Sequence, residues 1–256
     1  MNFDISQVLT EWPYEPGDVQ VRRCRGKDGQ EKIQLRVDLG ILQMNAEGRP
    51  DGKRPFGHES LLEYHIARRQ RHLETHPGEP NGFSLAAEDC GKLQQEAIQY
   101  YHRYICLFQL NDFAGVLRDT RRNLAVFDFA VEHAQSEELA WSLEQFKPQL
   151  LMMQTRAHGA IALEDKRHAD AIELIQSGLE SIREFYREHS RLDLLEQSGE
   201  IQLLESWLAD IQEKRPLTPR EKLERALDEA VGREDYEKAA AMRDALRNLK
   251  QSSPNV

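Results

Sequence analysis

From His58 to about Arg215, apolar residues return every three or four positions. That period constrains the fold more than any other feature of the chain, because it demands helices with one buried stripe each. In "HESLLEYHIARRQRHLETH" the stripe is Leu61, Leu62, His65, Ile66 and Leu73. A break follows at "PGEPNG". Next, "SLAAEDCGKLQQEAIQYYHRYICLFQL" predicts a long helix capped by Ser84, and "DFAGVLRDTRRNLAVFDFAVEHA" predicts another. "SEELAWSLEQFKPQLLMMQTRAHGAIALEDK" reads as one helix bent at Pro148 or as two, since proline breaks the backbone ladder. "RHADAIELIQSGLESIREFYREH" and "LDLLEQSGEIQLLESWLADIQEK" each predict one more. Short connections make successive helices antiparallel neighbours.

Residues 1–57 read differently, as a small β-containing segment. Asp4 to Trp12 fits one short helix. "VQVRRCRGKDGQEKIQLRVDL" gives strand, turn, strand, with Asp28-Gly29 as the hairpin signal. Ile33, Leu35, Val37 and Leu39 alternate with Lys32, Gln34, Arg36 and Asp38, predicting one buried face and one wet face. "ILQM" fits a third strand. "NAEGRPDGKRPFGH" is a loop whose Gly and Pro content suggests a fixed, turning path. At the other end, "EKRPLTP" marks a linker at roughly 212–217. The expected organisation is therefore mainly α: the β-containing segment at 1–57, a helical domain at 58–215 and a separate helical hairpin at 218–250.

Within the helical domain, "AHGAIALEDKRHADAIELIQSGL" resembles a tetratricopeptide unit over about one repeat. Gly159, Ala171 and Gly178 occupy the small positions where paired helices approach closely. An ordinary helical bundle explains the same residues, and under either reading they mean packing rather than chemistry.

The closing segment "TPREKLERALDEAVGREDYEKAAAMRDALRNLK" is unusually well specified. Thr218 with Glu221 forms a capping box, and Pro219 fits the first helical position. Leu223, Ala226, Leu227 and Ala230 make one stripe. Gly232 reads as the stop of the first helix, and Asp235 as the cap of the second. Tyr236, Ala239, Ala240, Met242, Leu246 and Leu249 line the second helix, with the paired alanines letting the backbones approach.

The string Asp235-Tyr236-Glu237, Ala239-Ala240, Met242-Arg243-Asp244, together with Leu223, Leu227, Ala230, Leu246 and Leu249, resembles the UVR motif. That motif is named for the excision-repair proteins UvrB and UvrC and occurs in Clp-type chaperone ATPases and the McsA regulator. The resemblance covers about the last eighth of the chain. It implies a protein-docking hairpin that pairs with a second such hairpin. Physical reasoning leads to the same expectation. Seven sizeable apolar side chains, Leu223, Leu227, Val231, Tyr236, Met242, Leu246 and Leu249, are too few to offset the conformational entropy of an isolated hairpin. The expected docking face is Leu223, Leu227, Ala230, Tyr236, Ala239, Ala240, Met242, Arg243, Leu246 and Leu249. Its partner is another chain, self-association included, or else the hairpin packs on its own helical domain.

The larger relatives are excluded by what is missing. "GRPDGKR" has one spacer too few for a phosphate-binding loop and carries Arg54 where a magnesium-binding Ser or Thr belongs. Cys24, Cys90 and Cys106 form no CxxC, so neither a zinc knuckle nor a disulfide framework is expected, and all three read as buried apolar groups. Catalytic nuclease domains find no support in the length or the motifs. His72 and His76 have metal-clasping spacing but no evident third ligand. Neither metal nor cofactor is expected.

A net charge of -10 opposes a surface that wraps nucleic acid. Val19 to His72 nevertheless carries 12 basic and 7 acidic residues, leaving the remainder at -15. Arg22, Arg23, Arg25, Lys27 and Arg36 are the candidate nucleic-acid contacts, and a solvated strand face opposite acidic helices is the plainer explanation. Hydrophobic residues at 39% with 30% charged fit a globular chain, and no apolar run reaches membrane-span length. The acidic start "MNFDISQVLTEW" reads against a secretory leader, so a cytoplasmic protein is expected. The sequence therefore favours a non-catalytic adaptor or scaffold. The rivals are a repair-associated accessory contacting nucleic acid through the basic region, and an enzyme using the 48–59 loop with Asp51, His58 and Glu59.

Overall fold

The computed structural model describes residues 4–79, 81–216 and 219–252. The chain forms two compact units, Met1–Leu208 and Ala209–Val256.

The first unit opens with helix α1, Ser6–Glu11, where the Asp4 carboxylate accepts the Ser6 N–H at 2.9 Å. Strands β1 (Val21–Arg25), β2 (Glu31–Val37) and β3 (Gly40–Asn45) make one antiparallel sheet in that order. In the first turn Gly29 takes φ +76°, the left-handed geometry that the Asp-Gly pair predicted. Asp38 and Leu39 form the tight tip between β2 and β3, where Val37 pairs with Gly40.

The predicted clean alternation of β2 is only half right. Ile33 is fully buried and shares its face with Met44, but Leu35 and Val37 are half-buried and Leu39 at the tip is 87% exposed. Lys32 and Arg36, expected in water, are buried. Lys32 Nζ is held by Asp28 at 2.6 Å and by the Asn45 side chain. Arg36 donates to the carbonyls of Trp12, Val37, Asp38 and Gly40. Charged heads that find such partners let their stems lie against the sheet.

Helix α2 spans Leu61–Thr75, and its cap Ser60 accepts the Glu63 N–H. Helices α3 (Ala87–Gln109) and α4 (Phe113–His133) pack along their length. Helix α3 starts three residues after Ser84, which therefore does not cap it. Leu85 is extended and bonded to the end of α4, its N–H to the His133 carbonyl at 2.7 Å, so the helix begins only beyond it. Asp89 instead reaches back to the Ala86 N–H at 3.3 Å. The Pro148 segment is two helices, α5 (Glu137–Glu144) and α6 (Lys147–Glu164). Pro148 sits in the first turn of α6, where a missing N–H costs nothing.

Helix α7 is His168–Glu188. The segment read as one final helix is broken into α8 (Leu192–Gln197) and α9 (Gly199–Lys214). Ser198 turns extended at the break, and its hydroxyl accepts the Ile201 N–H. Helix α9 continues to Lys214, so residues 212–214 of the expected linker are helical, and Leu217 lies outside the described residues.

Small residues set the helix contacts. A Cβ on Gly178 of α7 would lie 2.0 Å from the Thr155 hydroxyl of α6, and one on Gly159 would meet the Trp207 ring at 2.7 Å. Ala171 is fully buried. Three turns close in the same way. Asn111, Lys166 and Ser190 each take a left-handed φ of 54–60°. The next residue's N–H then returns to a carbonyl five positions back: Asp112 to Leu107, Arg167 to Ala162 and Arg191 to Tyr186. This is the Schellman closure, made here without glycine.

A buried ionic seam joins the strand segment to α3 and α4. Arg103 is 1% exposed. It grips both Asp119 oxygens, at 2.6 and 2.8 Å, and donates to the carbonyls of Asn45 and Gly48. Glu96, equally buried, accepts from Arg49 Nε at 2.7 Å, from Arg122 and from the Leu61 N–H. Arg118 bridges Asp119 to Glu47. The Arg103 and Arg122 guanidiniums flank Tyr100 at 4.9 and 4.2 Å from its ring. Burial works against the charge on Arg122, which the Glu96 carboxylate offsets, and pushes Tyr100 up to about 12. Cys90 and Cys106 are buried as expected, whereas Cys24 on β1 is only half-buried.

Candidate docking hairpin

The second unit carries helices α10 (Pro219–Gly232) and α11 (Tyr236–Ser252). They pack against each other through a three-residue connection. Helix α10 begins at Pro219, as predicted. The Thr218 half of the expected capping box lies outside the described residues, while Glu221 is held by Arg215 at 2.8 Å. Arg220–Glu224 and Arg225–Glu229 pair one turn apart on the outer surface.

Gly232 does not supply the left-handed stop. It remains in the helix, and the left-handed residue is Glu234, at φ +58°. The Asp235 N–H returns to the Ala230 carbonyl at 2.8 Å, which is the same closure used three times in the first unit. Asp235 must also start α11, and its side chain accepts the Lys238 N–H at 3.1 Å. Placing the left-handed residue at 234 leaves Asp235 free to do both.

Of the predicted docking residues, only Ala230 and Ala239 are buried. They lie where the two helices meet at the closed end of the hairpin. Leu223, Leu227, Ala240, Met242, Leu246 and Leu249 are half-buried, as is Ala226. Arg243 is exposed. Tyr236 was expected to line the apolar face, yet it is 70% exposed, and Val231 is 52% exposed. None of the seven sizeable apolar side chains is buried, so two thin helices cover one another only at their small residues.

The candidate nucleic-acid residues are not equally available: Arg22, Arg23, Arg25 and Lys27 are exposed along β1 and the turn after it, and Arg36 is buried. Arg22 is bonded to Gln34 and lies 4.1 Å over the Trp12 ring. Arg23 is shared between Glu31 and Asp112 at 2.5 and 2.6 Å. Arg36 is withdrawn from that set altogether, because its donors already serve the four backbone carbonyls.

In the 48–59 loop the three candidate catalytic groups are each engaged apart from the others. Asp51 takes two bonds from Arg49 and accepts the Lys53 N–H. Glu59 pairs with Arg54, and His58 meets the edge of Tyr64. Phe56, at φ +50°, lies stacked on Tyr64 at 4.3 Å. His72 and His76 stack at 4.7 Å, and the His72 Nε2 lies 3.1 Å from the Glu79 carbonyl. Among the described residues, no three His, Cys, Asp or Glu side chains gather as a metal site. Nor does any helix among them have the length and apolarity to cross a membrane.

What the sequence reading missed is the seam. Leu93, Glu96, Ala97, Tyr100, Arg103, Tyr104 and Leu107 follow one three-and-four rhythm, so Glu96 and Arg103 fall inside the buried stripe of α3. Charges on such a stripe were the available signal.

The second unit thus carries a two-helix hairpin whose apolar stripe is only half-buried. Residues 220–252 match the UvrB/uvrC motif, the UVR family model, which is where the resemblance placed it. No curated protein and no solved structure matches the chain.

Proposed function

We propose that this protein is a non-catalytic adaptor that docks on a partner protein through the α10–α11 hairpin. One observation carries the reading: the hairpin buries two alanines and leaves its leucines, methionine and tyrosine partly or largely in water. Full burial of such a side chain from water is worth about 1.5–3 kcal/mol, and these half-buried ones gain the unspent part of it, so a second apolar surface is favoured. A matching hairpin, from a second copy or from another UVR-bearing protein, would complete a four-helix bundle. The first unit then serves as the body on which the hairpin is carried. The charge distribution lends some support to this over nucleic-acid contact, because Arg36 is buried and Arg23, though exposed, is paired with Glu31 and Asp112.

The test compares the intact chain with Leu227→Asp and Ala240→Glu in a co-precipitation and sedimentation assay. Both substitutions put a carboxylate on the half-buried stripe. The expected result is loss of association, tenfold or more, with the first unit's unfolding transition unmoved. Unchanged association in both variants would overturn the docking face. Salt-sensitive binding to DNA with unchanged protein association would favour the repair-accessory reading instead.

A further inference from the structure

We propose that the groove between α3, α4 and the start of α6 is a binding site for an uncharged, mainly aromatic small molecule carrying one hydrogen-bonding group. The cavity measures about 310 Å³. That falls at the lower end of the range for small-molecule sites, which are apolar hollows with a few polar groups for orientation. Its buried lining includes Ala97, Tyr104, Phe127 and Leu150. Two further lining residues, Ile98 and Phe146, are exposed apolar groups at 48% and 44%. The hollow is lined by eleven residues in all, fewer than the roughly 20–30 that each side of a stable protein interface supplies, which argues for a compact ligand rather than a docked chain.

The chemistry of the lining narrows the ligand. None of the lining residues is Asp, Glu, Lys or Arg, so a charged guest would lose its hydration with no counter-charge in return. Asn123 is already committed, donating to the Ala97 carbonyl at 2.9 Å and accepting from Arg122 at 3.0 Å. Gln94 donates to the Ser142 carbonyl. The side chains of His102 and Gln149 make no hydrogen bond to any described residue. Burial lowers the His102 pKa and so favours the neutral imidazole, which has one N–H to donate and one nitrogen to accept. Five rings line the hollow (Tyr101, His102, Tyr104, Phe127 and Phe146), and they suit an aromatic guest.

The probe is prodan, an uncharged naphthalene with a single carbonyl, titrated into the full chain and followed by its emission. Saturable one-to-one binding with a blue shift is expected. Ile98→Lys, a substitution at an exposed position, should weaken it at least tenfold. His102→Phe keeps a ring but loses the N–H, and should weaken it several-fold. Leu174→Lys, on α7, and Leu227→Lys, on the hairpin, should leave it unchanged. Non-saturable partition, or Ile98→Lys behaving as the parent, would overturn the site. Loss of binding in Leu227→Lys alone would place the probe on the hairpin and equally overturn it, without touching the docking proposal.

Discussion

The α6–α7 and α10–α11 hairpins are built alike and end up in opposite circumstances. Both close through a left-handed non-glycine residue, Lys166 in one and Glu234 in the other, with the same backbone return bond. Both let helices approach at small residues. In the first pair Ala157, Ile175, Leu179 and Ile182 are buried. In the second only Ala230 and Ala239 are. Turn chemistry is therefore not what separates a core element from a docking element. Within its own unit α6–α7 is covered by further helices, among them α9 through Trp207, pressed against Gly159.

The sharpest way to break that comparison is to attack the body and ask whether the hairpin notices. Asp119→Ala would leave Arg103 buried without its carboxylate. Removing one partner of such a pair costs about 3–5 kcal/mol, and the loss should appear in urea unfolding of the first unit. The helicity of the α10–α11 hairpin, followed by hydrogen exchange, should stay as it was. If both units collapse together, the two hairpins are not energetically separable.

Acid should separate them next, with a smaller effect. His65, His102, His133 and His158 all have pKa values lowered by burial. Each folded value lies below its unfolded one, so the unfolded chain binds more protons between the two. The contribution is fully present above about pH 6.5, the ordinary histidine value, and is lost as pH falls through the folded values. All nine histidines lie at or before residue 189, and none lies in 209–256. Circular dichroism over this window should show the first unit weakening, while hydrogen exchange in α10 and α11 holds steady.

The smallest effect concerns the shared turn. Glu234→Gly should relieve the left-handed cost of an L-residue, about 1–2 kcal/mol, and Gly232→Ala should add roughly 0.5–1 kcal/mol by removing glycine from a helix. A Cβ at Gly232 meets open space. Both variants should slow amide exchange in the hairpin. If Glu234→Gly instead loosens it, the closure differs from that of α6–α7.

Much of this was written in the chain's periodicity. The three-and-four rhythm located the helices, and the Asp28-Gly29 turn located the sheet. Side-chain size marked Gly159 and Gly178 as contact points. The hairpin was legible down to Asp235 as its cap. Other features depend on particular side-chain and backbone hydrogen bonds, most of them within a few residues, which the rhythm of apolar positions does not encode. Ser198 breaks a continuous helical rhythm because its hydroxyl caps the first turn of α9. Arg36 and Lys32 look wet by alternation and are dry because backbone carbonyls and Asp28 hold them. Glu234 took the role assigned to Gly232 because Asp235 had two bonds to satisfy at once.

The Arg103 contacts with Asn45 and Gly48 have a consequence for how the chain is made. A ribosome releases the three strands well before it releases α4, which carries Asp119. Until then the guanidinium that staples those carbonyls has no counter-ion, so the sheet can pair within itself but is not locked against the helices until the fourth helix emerges. A stalled chain whose emerged part ends just after Arg103 should therefore leave the 45–48 segment open to protease, and lengthening it until all of α4 has emerged should protect it.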